Sequence, residues 1–157
     1  MLAFNQADDS PLNALNDLVI KSGANGRLSR FSVSAGGERV ADYACDGIVF
    51  STPTGSTAYN LAAGGPIVHP DADVMLMTPI SAHTLTSRSV VFPAGVSLSV
   101  SPVSGCEEPM VFADGQPALE KGIDFPVQVS VADMSFPLLE EEDHSHFRVL
   151  RNKLKWG

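Results

Sequence analysis

Apolar and polar residues alternate with a period of two along much of this chain. Arg30-Phe31-Ser32-Val33-Ser34-Ala35 alternates, breaks at Gly36-Gly37 and resumes through Val40 to Tyr43, the pattern of a hairpin. Val96 to Val100 and Val127 to Val131 alternate the same way, as strands with one buried face do. Shorter runs at Asn16 to Lys21, Ile48 to Ser51, Val74 to Thr78, Ser89 to Phe92 and Met110 to Ala113 are further strand candidates. With 13 glycines and 11 prolines as punctuation between them, the pattern predicts a mainly β fold, an all-β sandwich or Greek-key arrangement.

Two segments follow a different rule. Ser56 to Ala63 ends in Gly64-Gly65-Pro66, a helix stop, which predicts one short internal helix with Ser56 or Thr54 as its cap. At the C-terminus, Asp143 is placed to cap an amphipathic helix with Phe147, Leu150 and Leu154 on one face. Arg148, Arg151, Lys153 and Lys155 add positive charge toward its end, where the helix dipole favours it. That apolar stripe, followed by Trp156, must pack on something: either the β-core or another domain. The chain therefore divides into a β-rich body, residues 1–142, and a helical tail, residues 143–157.

Composition narrows the classes. A chain of 157 residues with 44% hydrophobic and 18% charged residues fits one globular domain. The formal net charge of -8 excludes the broad basic face that a nucleic-acid binder needs. It leaves an anionic ligand possible, because backbone amides at a helix start hold one without Lys or Arg. Cys45 and Cys106, the only cysteines, lie too far apart for a zinc spacing or a disulfide framework and read as buried thiols in a reducing compartment. No basic leader and no apolar run of ~18 residues occurs, so a cytoplasmic protein without a membrane span is expected. The four histidines do not assemble a metal site: His144 and His146 fall on different helix faces, and His69 and His83 border proline turns.

The densest polar stretch is Ser51-Thr52-Pro53-Thr54-Gly55-Ser56-Thr57-Ala58-Tyr59-Asn60. A Walker-type phosphate loop needs a lysine before its Ser or Thr, and none follows Gly55. A nucleophile elbow needs glycines two positions either side of the serine, where Ser56 has Thr54 and Ala58. What remains is either a neutral wall for a hydroxyl-rich ligand such as a nucleoside, with Tyr59 available for stacking, or a helix start whose hydroxyls only cap. Asn16-Asp17 reads as an ordinary turn or as an amide and carboxylate able to grip adjacent ribose hydroxyls. Asp114-Gly115-Gln116 carries the Asp-Gly signal of a hairpin turn.

In this order, these stretches resemble the C-terminal domain of NAD kinases. The resembling segments are Ala14 to Asp17, the run DGIVFSTPTGSTAY from Asp46 to Tyr59, AGGPIVHP from Ala63 to Pro70, TPISAHTL from Thr78 to Leu85, and Asp114-Gly115-Gln116. The closing Phe147 to Gly157 is similar as well, so the resemblance spans nearly the whole chain. It implies phosphorylation of the 2′-hydroxyl of the adenosine ribose of NAD, from ATP or polyphosphate, with a divalent metal such as magnesium. By the same resemblance, Asn16 and Asp17 would hold the dinucleotide, with Asp17 toward ribose hydroxyls, and Asp46 would meet the nicotinamide end. Thr57, Ala58, Tyr59, Asn60, Leu61 and Ala62 would line the adenosine pocket, and Gln116 would add a polar contact. Arg27 falls where the family often has a basic or imidazole side chain. Ala44 falls at a lining position where some members carry a longer basic residue. Homodimers or homotetramers built through this domain are also implied.

The chain departs from the family in one respect. NAD kinases carry an N-terminal α/β domain whose Gly-Gly-Asp-Gly-Thr motif binds the donor and supplies the catalytic aspartate, and no such motif occurs here; Gly36-Gly37 is followed by Glu38-Arg39. The expectation is thus the acceptor-binding part of a two-domain enzyme, without a catalytic residue or metal of its own and inactive alone. Its tail would pack toward the N-terminal domain. A non-catalytic dinucleotide-binding or self-associating β-module is the alternative. A lipid kinase of the related superfamily fits less well, because it would not be expected to keep both the Asn-Asp pair and the Thr-Ala-Tyr wall.

Overall fold

A computed structural model describes residues 1–5, 12–23, 29–84, 86–105, 109–119, 123–140 and 142–156. Arg27 and Cys106 lie outside the described residues. Two six-stranded antiparallel sheets face each other. The first, ordered β2-β1-β12-β9-β4-β5, contains β1 (Leu2–Asn5), β2 (Leu12–Ala14), β4 (Arg30–Ala35), β5 (Glu38–Ala44), β9 (Leu98–Ser104) and β12 (Val127–Val131). The second, ordered β11-β10-β3-β6-β7-β8, contains β3 (Asp17–Lys21), β6 (Gly47–Ser51), β7 (Val74–Ile80), β8 (Val90–Pro93), β10 (Met110–Ala113) and β11 (Gln116–Leu119). The β-sandwich expected from the alternating pattern is therefore present.

The two sheets are buried differently. In the first, Phe31, Val33, Leu98, Val100, Val127 and Val129 point into the core while the serines and Gln128 between them keep partial exposure, as one-sided strands require. In the second, β3, β6 and β7 are buried through almost every residue. Leu18, Ile20, Ile48, Phe50, Met75 and Met77 fill the inter-sheet core. The register then places Asp17, Val19 and Lys21 on the opposite face, beside Ser51, Val49 and Gly47 of β6. Val19, Val49 and Leu76 on this outer face are buried too, so something must cover it. The cover is the segment between β6 and β7: a 3₁₀ turn (Thr54–Thr57) followed by α1 (Tyr59–Ala62).

Two turns close hairpins in the mirror-image geometry that suits twisted strands. Gly36 and Gly37 have φ of 57° and 84°, and Asp114 and Gly115 have 47° and 77°. The pattern of alternation did not reveal β1, β2 and β11. β11 holds Pro117, which has no N–H for a ladder and is tolerated because β11 is the sheet edge. Pro79 in β7 is admitted for a related reason, since β8 pairs only with Val74 to Met77.

Three local expectations need correction. The internal helix is not continuous from Ser56 to Ala63: Ala58 (φ −96°, ψ −128°) separates the 3₁₀ turn from α1. Neither Ser56 nor Thr54 caps it; the Thr52 hydroxyl accepts from Gly55 N at 2.9 Å, and Ser56 is engaged elsewhere. In the C-terminal helix α2 (His146–Leu154), the N-cap is Ser145, whose side chain accepts from Arg148 N, whereas Asp143 binds the Arg148 guanidinium at 3.2 Å. Leu150 of α2 is buried against this chain and the His146 ring meets His69 edge-on at 4.9 Å, yet Phe147 and Trp156 stay 62% and 52% exposed.

Phe50, fully buried between the sheets, is the natural probe of this core. Phe50→Ala is expected to lower stability by about 3–5 kcal/mol, read as a shifted urea midpoint.

Candidate functional site

β6 delivers the chain to Ser51 and Thr52, whose backbone and hydroxyls bind the segment preceding β3. Thr52 N donates to Asn16 O at 2.9 Å, and the Thr52 hydroxyl donates to Leu15 O at 2.8 Å. Gly55 then passes so close to the Asn16 backbone that any Cβ there would collide with Asn16 O and C. Glycine is required here by proximity rather than by dihedral angle.

The 3₁₀ turn and α1 are fastened to the sheet by buried side chains. The Ser56 hydroxyl pairs with both N and O of Val68 at 3.1 Å. Asn60, fully buried, donates through Nδ2 to Ser56 O (3.0 Å) and Pro66 O (2.9 Å), while Oδ1 accepts from the Thr78 hydroxyl at 2.7 Å. Gly65 leaves the space that this amide occupies. So pinned, α1 presents Tyr59 at its first turn, and the Tyr59 backbone N–H reaches the Asp17 carboxylate.

The turn joining β10 to β11 closes the other side. The Asp114 carboxylate accepts from Leu15 N at 2.8 Å, Asn16 N at 2.7 Å and Asp17 N at 3.2 Å. Between this turn and α1 lies a cavity of about 350 Å³ lined by Asn16, Asp17, Val19, Lys21, Ala58, Tyr59, Phe112, Asp114 and Gly115. Lys21 Nζ stands 5.0 Å from the Tyr59 ring centre and 5.4 Å from that of Phe112, within cation–π range of both. Asp17 is only 4% exposed. Burial pushes its carboxyl above the usual carboxylate range, the charge of Asp114 adds to the rise, and the Tyr59 N–H opposes it.

Of the residues the resemblance named, Asn16, Asp17, Ala58 and Tyr59 come together around one cavity. Thr57, Leu61 and Ala62 flank it on the same short turn and helix. Asn60 lies behind, its polar atoms bonded within the chain. Ala44, Asp46 and Gln116 do not line the cavity. Asp46 is exposed and precedes Gly47, which pairs with Lys21 in register, so it follows the Lys21 end of the strand. Gln116 is exposed just past the β10–β11 turn. The sequence assigned no role to Lys21 or Phe112, and Asp114 entered as a hairpin turn within a resembling segment, with no role of its own. Strand periodicity carried the signal for Lys21, which follows Asp17 and Val19 at spacings of two. Among the described residues no three His, Cys, Asp or Glu side chains gather as ligands for a metal ion, and no helix is long and apolar enough to cross a membrane.

The profile of the ATP-NAD kinase C-terminal domain matches residues 15–140. The chain belongs to this family. NAD kinase from Syntrophobacter fumaroxidans is 41% identical over 143 residues, 91% of this chain and 50% of the relative. That from Koribacter versatilis is 42% identical over 146 residues, 92% and 50%. Among solved structures, the NAD kinase from Archaeoglobus fulgidus in complex with ATP superposes with a TM-score of 0.80 at 25% identity, covering 98% of this chain and 58% of that one. Yeast NADH kinase complexed with NADH gives 0.71 at 29% identity, over 82% and 39%. The chain therefore spans about half the length of the curated NAD kinases it matches, and the cavity lies within the matched C-terminal domain.

Asn60 separates a supporting role from a contacting one. Asn60→Ala removes the donor to Ser56 O and Pro66 O and leaves the Thr78 hydroxyl only its Ser89 partner, and is expected to cost about 1–3 kcal/mol of stability in denaturant titration.

Proposed function

We propose that this chain is the NAD-binding part of an NAD kinase, the enzyme that transfers a phosphoryl group to the 2′-hydroxyl of the adenosine ribose of NAD to make NADP. The observation that carries this reading is the convergence of the Asn16 amide, the Asp17 carboxylate and the Tyr59 ring on one cavity. An ionised carboxylate accepts from ribose hydroxyls, and a half-buried aromatic ring offers a stacking face. Thr57, Ala58, Leu61 and Ala62 complete the adenosine side, with Asn60 fixing the wall from behind. Asp46, Ala44 and Gln116 meet the dinucleotide beyond this cavity, Asp46 toward the nicotinamide, and the resemblance adds Arg27 as a further contact.

The acceptor's attack on a phosphoryl group requires donor, base and ion to be aligned with the bound hydroxyl. This chain contributes the binding and orientation of the acceptor. The sequence contains no Gly-Gly-Asp-Gly-Thr motif and the described residues gather no ligand set for an ion, so we assign the base, the ATP or polyphosphate and its magnesium to a donor domain. When bound with the donor, that ion neutralises phosphate charge. Phe147 and Trp156 of the tail, and separately Met134, Phe136 and Leu138, are exposed apolar side chains that we assign to contact with that domain. A cytoplasmic homodimer or homotetramer completes the reading, its open sheet edges available for pairing.

Calorimetry with NAD and NADP tests the site. Asp17→Ala should weaken binding roughly 10- to 100-fold through loss of a charged hydrogen-bond acceptor, and Tyr59→Ala several-fold through loss of stacking. If both variants bind NAD as the unaltered chain does, the site is misassigned. The chain mixed with NAD, ATP and magnesium should form no NADP; steady turnover would place the donor site within it. Light scattering at high concentration should give a dimer or larger, and a monomer throughout would remove the self-association.

A further inference from the structure

Asp114 has no part in the chemistry proposed above, yet its bonds converge on the residues that do. At φ 47° it holds a backbone conformation that an L side chain adopts at a cost, favoured for Asp only where local bonds support it. Its own N–H donates to Asp17 O at 3.0 Å, and its carboxylate receives the successive N–H groups of Leu15, Asn16 and Asp17. Three consecutive amides bound to one carboxylate leave that backbone a single orientation, and with it the directions in which the Asn16 and Asp17 side chains depart. The binding also seats the Asp114 carboxylate beside Asp17 in the cavity wall.

We propose that Asp114 is the positioning residue of this site: acting through Asn16 and Asp17, it fixes the accepting orientation of the Asp17 carboxylate and holds a second negative charge against it. The proposal rests on the ribose-binding reading of Asp17. The charged and titratable groups on the cavity around Asp17 are Asp114 from the turn, Lys21 from β3 and Tyr59 from α1. Burial raises the Asp17 carboxyl, and Asp114 raises it further. Ribose hydroxyls are accepted by the ionised form, so binding is present above the pKa of Asp17 and is lost as pH falls through it. Removing the Asp114 charge moves this loss to lower pH, while loosening the backbone weakens binding at neutral pH. A residue that merely braced the turn would weaken binding and leave the acid limb where it was.

The test is Asp114→Asn in the full chain, with three readouts: NMR titration of the Asp17 carboxyl, amide exchange at residues 15–17, and NAD affinity by calorimetry from acid to neutral pH. The expected result is a lowered Asp17 midpoint, faster exchange at the three amides, and affinity reduced on the order of 10-fold at neutral pH with its acid limb displaced downward. A folded variant with an unmoved midpoint, or with unchanged exchange at all three amides, overturns the proposal. Asp114→Glu keeps the charge on a longer arm, and serves should Asp114→Asn not fold. It should retain the raised midpoint while losing amide protection, and a midpoint that falls, or protection that survives, counts against the proposal. The NMR readouts need no ligand. If the unaltered chain binds no NAD while the midpoint still shifts, the dinucleotide reading falls and the positioning role is supported.

Discussion

The three-residue backbone of Leu15–Asp17 is held from two sides, and the site depends on that double grip. From one side, Thr52 takes the Leu15 and Asn16 carbonyls and Gly55 closes against Asn16. From the other, Asp114 takes the three N–H groups. Segments distant in sequence thus meet on one short stretch, which leaves its polar backbone groups satisfied although only Asp17 belongs to a strand. The side chains that project from it, Asn16 and Asp17, inherit a fixed direction before any ligand arrives. Little ordering entropy is then lost on binding.

This grip is possible because the second sheet is covered on both faces. A sandwich needs only one buried face per sheet, and the first sheet obeys that rule. The second carries Val19, Val49 and Leu76 outward as well, which commits the β6–β7 segment to fold over them. Asp17 and Lys21 lie on that same outward face, so the burial that seats α1 also walls the cavity. The raised carboxyl of Asp17 is a consequence of this cover.

Much of the architecture was legible in the chain. Val127 to Val131 and Met110 to Ala113 were found at their true ends because alternation and turn residues agree there. Gly36-Gly37 marked its hairpin because only a positive-φ pair turns that tightly between twisted strands. β11 was hidden by Pro117, and β2, with three residues, is too short for a period to register. For the cavity, the resemblance named Asn16, Asp17, Ala58 and Tyr59, which line it, but the division between fastening and lining residues was not visible. Ser51 and Ser56 belong to the motif as fully as Tyr59 does, and Asn60 follows it directly; only their burial separates these fastenings from the partly exposed ring of Tyr59. Lys21 and Phe112 sit outside the motifs and enter through strand register, a long-range property that local pattern cannot supply.

The brevity of α1 carries a consequence for how such a wall can be altered or moved. Four residues cannot sustain a helix by their own backbone bonds, since nucleation alone costs more than one turn returns. Its shape is lent by Asn60, Ser56 and Thr78, which reach into three separate stretches of the chain. The wall is therefore not a portable loop. Grafted onto another scaffold without the Thr78 strand and the Pro66–Val68 return, the same ten residues would carry the motif and lose its geometry.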